Sequence, residues 1–168
     1  VLNEADTVIS IQEGYTYLEP GAVATDEIDG ETTVEESSNI NNLVPGEYHV
    51  TYTATDSKGN KAVEQRQVFV TPIKHRLEIS FFGEGNFELN NSSSSLTCNE
   101  RLCYTYIEQG TPLEIAAKAG TDYEFSKWSN CNSVVGNICS IISNSPRVID
   151  AQFVSKRPLE VARSEEHT

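Results

Sequence analysis

Cys98, Cys103, Cys131 and Cys139 have the most chemistry open to them of any residues in this chain. Thiolates bind zinc, exchange electrons, or close into bridges. Structural zinc pairs cysteine with histidine or with C-x-x-C spacing, and redox pairs also use C-x-x-C; neither pattern occurs here. An even cysteine count in a short, strand-rich, acidic chain points instead to disulfides formed outside the cytoplasm. Four cysteines allow three pairings, and closeness in sequence favours Cys98–Cys103 and Cys131–Cys139. Each bridge closes a short loop, worth about 2–3 kcal/mol by loop entropy.

Carboxylates and rings are the other candidates. Asp26, Glu27, Asp29 and Asp56 supply the hard oxygens that Ca2+ requires, and Asp26, Asp29 and Asp56 are the expected ligands if a cation binds. Their spacing is not that of an EF-hand, and loop carboxylates ordinarily bond the N–H groups of their own turns. Trp128, with Tyr104, Tyr106, Tyr123 and Phe125, offers ring faces on which a sugar can stack, so Trp128 is the candidate ligand-binding residue. Its duller reading is core, the usual place for a lone Trp beside a disulfide in a small domain. His49 falls on the polar face of a strand with no nucleophile placed by motif, and His75 and His167 have no metal partner nearby in sequence. No G-x-S-x-G, H-E-x-x-H or P-loop pattern occurs, so no enzyme and no catalytic residue is expected.

Charge narrows the partners. The 168 residues carry a formal net charge of −13. Residues 1–72 hold 13 acidic and 3 basic side chains, and residues 73–154 hold 9 and 6. Such a field repels phosphate backbones and anionic lipid, which disfavours nucleic acid and membrane surfaces. No apolar stretch approaches the length of a membrane span. The sequence contains no Met and begins with Val1, which reads as a piece excised from something longer.

The elements that must position these residues are short strands. Thr7–Ile11 is a β-branched run, and Glu19-Pro20-Gly21 is a turn signal. Ala22–Thr25 and Thr32–Val34 flank a polar loop. After Pro45-Gly46, Tyr48, Val50, Tyr52 and Ala54 alternate with Glu47, His49, Thr51, Thr53 and Thr55, the period of a half-buried antiparallel strand. Asp56-Ser57-Lys58-Gly59-Asn60 is a turn, and a strand over 62–70 follows. Turns at this spacing without helical periodicity predict a small β-sandwich.

Residues 1–72 also resemble a known family. Gly14-Tyr15-Thr16-Tyr17, Glu19-Pro20-Gly21-Ala22, Ala24-Thr25-Asp26, Asp29-Gly30 and the run Pro45–Asn60 look like the bacterial immunoglobulin-like, cadherin-like repeat of secreted surface proteins. The resemblance implies an Ig-like sandwich used as a spacer or adhesion module, and no catalytic set.

The second half follows a different pattern. Thr71–His75 is a short connector whose Pro72 argues against one strand across the junction. Leu77, Ile79 and Phe81 alternate up to a Gly83-Glu84-Gly85 turn, and Asn90–Ser95 is a polar low-complexity loop. Leu113, Ile115, Ala117 and Ala119 alternate, as do Ile149, Ala151 and Phe153. With Cys98, Cys103, Tyr106, Gly110, Ala116, Tyr123, Phe125, Trp128, Cys131 and Cys139, this order resembles the divergent B-repeat module of bacterial surface proteins. Ser129-Asn130-Cys131 departs from the Gly-x-Cys common there. That likeness implies a β-rich, β-grasp-like unit with no enzymatic role, and it too favours the local disulfide pairing.

The expected whole is all-β and mainly antiparallel: an Ig-like β-sandwich over 1–72, then a disulfide-containing β-grasp-like module over 76–154. The boundary is expected between Val70 and Arg76. Residues 155–168 are expected to be a linker or vector-derived sequence outside the fold. The function expected is that of a non-catalytic spacer segment of a larger exported bacterial surface or secreted protein. The alternative is an adhesin or a carbohydrate-binding accessory segment of a secreted hydrolase. Its partners would be neighbouring domains, or a glycan or surface partner. The setting would be the cell surface, the extracellular space or the periplasm, with the chain a monomer.

Overall fold

Alternation in Gly46–Thr55 and Lys61–Thr71 builds the centre of the first unit. In this computed structural model, which describes residues 7–28 and 30–157, the chain divides between Ile73 and Lys74. The connector is only Pro72-Ile73, because one strand runs to Thr71 and the next starts at Lys74. No helix occurs among the described residues.

Among the described residues, the first unit has six strands: β1 (Val8–Gln12), β2 (Ala24–Asp26), β3 (Gly30–Thr32), β4 (Val34–Ser38), β5 (Gly46–Thr55) and β6 (Lys61–Thr71). Four form a sheet in the order β1-β6-β5-β4, and β2 pairs with β3 as a separate hairpin. β5 and β6 are antiparallel from Gly46 opposite Val70 to Thr55 opposite Lys61. The turn between them is set by Asp56, whose Oδ1 accepts the N–H groups of Lys58 and Asn60 at 2.9 and 2.7 Å. Gly59 takes the positive φ of 89° that this turn needs. Val50, Tyr52 and Val68 form the core, and Tyr17, Ala22 and Ile40 pack onto it with Ile11, Val34 and Tyr48. The irregular stretch carrying Tyr17 and Ala22 therefore serves as part of the second layer. β4 was not expected, because Glu35, Glu36, Ser37 and Ser38 are all exposed and leave no alternation to detect.

Among the described residues, the second unit has nine strands: β7 (Lys74–Phe82), β8 (Gly85–Asn90), β9 (Thr97–Cys98), β10 (Leu102–Glu108), β11 (Pro112–Ala119), β12 (Tyr123–Ser129), β13 (Ser133–Val135), β14 (Ile138–Ile142) and β15 (Arg147–Ser155). One sheet has the order β12-β15-β7-β10-β9 and the other β13-β14-β11-β8. Residues of both sheets share one core, with Leu77, Ile79, Ile149 and Phe153 from the first and Leu113, Ile115, Cys139 and Ile141 from the second. The unit is β-rich as expected, but the β-grasp-like description does not hold. A β-grasp covers its sheet with a helix, and here a second sheet does so. The tail also begins later than expected: β15 runs through Ser155, and Lys156 N–H donates to Asp122 O at 2.8 Å. Of the supposed tail, residues 158–168 lie outside the described residues.

Gly83 and Gly85 show how β7 passes from one sheet to β8 in the other. A Cβ on Gly83 would fall on the carbonyl oxygen of Phe153, and one on Gly85 on the Phe153 ring. Gly83 also has φ 86°. Phe153 is buried and backbone cannot move aside, so Gly83→Ala is expected to cost about 1–3 kcal/mol. Trp128 is the only tryptophan and lies in this unit, so a fluorescence melt reads the loss directly. An unchanged midpoint would mean that the turn adapts.

Candidate functional site

A polar cluster of the first unit gathers around the buried Arg66. Arg66 stands opposite Val50 in the β5–β6 ladder, on the inward row that also carries Val68 and Val70, and is 1% exposed. A guanidinium there must be paired. Its partner is Glu19, 47 residues away in sequence, placed by the turn Glu19-Pro20-Gly21. Arg66 also donates to the Tyr52 hydroxyl and, at 3.2 Å, to Gly21 O, and stacks 5.1 Å over the Tyr52 ring. Glu19 accepts from Tyr17 at 2.6 Å, from Tyr52 at 2.5 Å and from Gly21 N–H at 2.7 Å.

The electrostatics follow from this geometry. Burial pushes the Glu19 carboxyl up, but the bonds from Tyr17, Tyr52, Gly21 and Arg66 together hold it below the usual carboxylate range. Burial and then the Glu19 carboxylate push the Tyr17 hydroxyl up to about 12, and the same causes raise Tyr52. A lowered carboxyl stabilises the fold above its unfolded pKa, and that contribution is lost as pH falls through its folded value. Raised tyrosines contribute below about pH 10, their unfolded value, and the contribution is lost as pH climbs through their folded values. The first unit is thus expected to be destabilised both below about pH 4 and above about pH 10. Amide exchange at Val50 and Val68 measures this, and a flat response above pH 10 would count against the tyrosine part.

The cation candidates fare differently. Asp26 and Asp56 border one cleft of about 170 Å3, with Thr25, Asn60 and Lys61. The Asp56 carboxylate is engaged in its own turn: Asn60 Nδ2 donates to Oδ2 at 2.6 Å, and the Asn60 and Lys58 N–H groups donate to Oδ1. The Asn60 side chain, more than any other group, holds the Asp56 carboxyl below its ordinary range. Asp26 Oδ1 likewise accepts Ile28 N–H at 2.8 Å. Asp29 lies outside the described residues. Among the described residues, no group of three or more His, Cys, Asp or Glu gathers as a metal site.

In the second unit all four cysteines are bridged, Cys98 to Cys103 and Cys131 to Cys139. Asn130, just before Cys131, has a left-handed φ of 64° and donates from Nδ2 to Asp150 Oδ2 at 2.8 Å. Asparagine is one of the few residues besides glycine that tolerates that conformation. Trp128 is no open platform. It is 7% exposed, its ring lies 5.5 Å from Phe87 and 5.8 Å from Phe125, and Nε1–H donates to Asn137 O at 2.9 Å. Tyr104 and Tyr106 instead meet edge to face on β10, with Arg76 over Tyr104. Sequence reasoning overlooked Phe82, which is 70% exposed beside a cleft of about 350 Å3 bordered by Ser80, Lys127, Ser129, Asp150 and Gln152. It also overlooked the Glu19–Arg66 pair, whose one signal was an Arg in step with Val68 and Val70.

Comparison with known proteins adds one finding. Residues 2–70 match the family model described as the Ig-like domain of bacterial surface proteins. No curated protein and no solved structure matches the chain significantly. The match ends at residue 70, and the B-repeat likeness of 76–154 stands on its own residues alone.

Proposed function

We propose, taking residues 2–70 as an Ig-like domain of bacterial surface protein type, that this chain is a non-catalytic structural segment of a larger exported bacterial protein. It spaces and displays the neighbouring domains, which are its partners, and works as a monomer. The family match carries the reading. Two observations support it. The groups with displaced protonation hold one another: Glu19 is bonded by Tyr17, Tyr52 and Arg66, and Asp56 by its own turn. Two disulfides suit an oxidising setting at the cell surface or beyond. The test is replacement of this segment in its parent protein by an unrelated β-sandwich pair of similar length. Display and activity of the parent should survive the exchange but fall on outright deletion; loss on exchange would overturn the reading.

A second reading, carbohydrate binding, is favoured by the cleft beside Phe82. An exposed ring bordered by Ser80, Lys127, Asp150 and Gln152 combines a stacking face with polar groups. Retardation of the chain in polysaccharide gels, abolished by Phe82→Ala with the fold intact, would establish it. No retardation on a broad glycan panel would end it.

A further inference from the structure

Among the described residues, the first and last strands of each unit are neighbours running parallel. In the first unit, β1 lies beside β6 with Val8 opposite Gln67 and Gln12 opposite Thr71. In the second, β15 lies beside β7 with Arg147 opposite Leu77 and Gln152 opposite Phe82. Parallel pairing makes the chain come in at one end of the ladder and leave at the other. At a rise of about 3.3 Å per residue, it advances about 13 Å between Val8 and Thr71 and about 35 Å between Lys74 and Ser155. Tension along the chain therefore slides the two strands past each other and loads all the ladder bonds together. Antiparallel terminal strands would place both ends together, and the same tension would open the bonds one by one.

We propose that both units bear force, each held shut by its terminal-strand ladder, β1–β6 or β7–β15, acting as a shear clamp. This rests on the reading of the chain as a segment linking other domains. The ladders are built to last under load. Ile79 and Ile149 face each other and are fully buried, as are Val68 and nearly Val70 in β6, so water is kept from competing for the bonds. The β1–β6 ladder is closed at both ends, by Gln67 N–H to Thr7 O at 2.9 Å and Glu13 N–H to Thr71 O at 2.8 Å. The Thr71 hydroxyl adds a bond to Ile11 O at 3.1 Å. β1 is an edge strand, whereas β7 and β15 are each flanked on their other side, by β10 and β12. The second clamp is therefore the stronger. Cys103 lies opposite Ile79 of β7, but neither disulfide has an end on β7 or β15, so the bridges limit the length released and leave the ladder bonds to set the force.

Single-molecule stretching of the full chain by its two ends tests this, since rupture force follows the unfolding rate. Two events are expected. The one at higher force should lengthen on reduction by about 3–4 nm, because the bridges span separations of 5 and 8 residues at roughly 3.5 Å each, less the 4.0 and 5.7 Å between Cα atoms that the closed bridges already span. Anchoring the chain instead at its N-terminus and at Lys58, in the β5–β6 turn, pulls both anchors from the same end of the β1–β6 ladder. That geometry peels β1 away, and the first unit should then open at a several-fold lower force. Equal forces in the two geometries would overturn the clamp, while leaving the spacer reading intact, since spacing requires no load. Failure of the segment-exchange experiment would strike that reading alone.

Discussion

Arg66→Met is expected to destabilise the first unit by about 3–5 kcal/mol, the cost of breaking a buried ion pair from one side. The methionine fills much of the volume but leaves Glu19 charged, with its side chain only 17% exposed. The residual access to water places the loss toward the low end of that range. A domain of about 70 residues has only a few kcal/mol to lose, so the unit should be largely unfolded at room temperature. The second unit should keep its Trp128 emission, because Trp128 packs in that unit's own core. Adding Glu19→Gln to Arg66→Met should recover a good part of the loss. The neutral amide can still accept the Tyr17 and Tyr52 hydroxyls, and no charge is then buried without a partner. Denaturant titration followed at the Val50 and Val68 amides checks both variants. If the double variant is no more stable than the single, the stranded carboxylate is not the source of the cost.

Reduction of both disulfides is expected to lower the stability of the second unit by about 4–6 kcal/mol, taking roughly 2–3 from each closed loop. The larger share should come from Cys131–Cys139. Cys139 is fully buried in the core, and the loop closed by this bridge contains Asn137, whose carbonyl accepts the Trp128 indole N–H. Asn137 also donates from Nδ2 to Ala117 O at 2.8 Å, tying the loop to β11. Cys98 sits on the short outer strand β9, so opening its bridge to Cys103 should cost less. A red shift of Trp128 emission on reduction, at unchanged stability of the first unit, is the result to look for. An equal drop in both units would show that reductant acts on something other than these bridges.

Much of the architecture was legible because it is written locally. The pleat forces side chains to alternate, so Tyr48, Val50 and Tyr52 announce β5 and its buried face from a few residues alone. Asp56–Asn60 forms its turn with bonds that span at most four positions. The two cysteine pairs are close enough in sequence that proximity favoured the pairing found. The Ig-like likeness of the first 72 residues likewise rested on such turns and runs.

What the sequence determined by itself was the set of strands with one buried face, the turns that join them and the bridges that close short loops. Tertiary structure decided everything that needed a distant partner. β4 exists because β5 offers it an edge, whatever its acidic side chains prefer. Arg66 can be buried only because the chain returns Glu19 to it, and Trp128 is core because Phe87 and Asn137 come to cover it. The parallel ladders join the first strand of each unit to its last, a pairing that no local period encodes. Short-range geometry follows from the backbone of a few residues, whereas burial and long-range pairing depend on which segments the collapsed chain brings together.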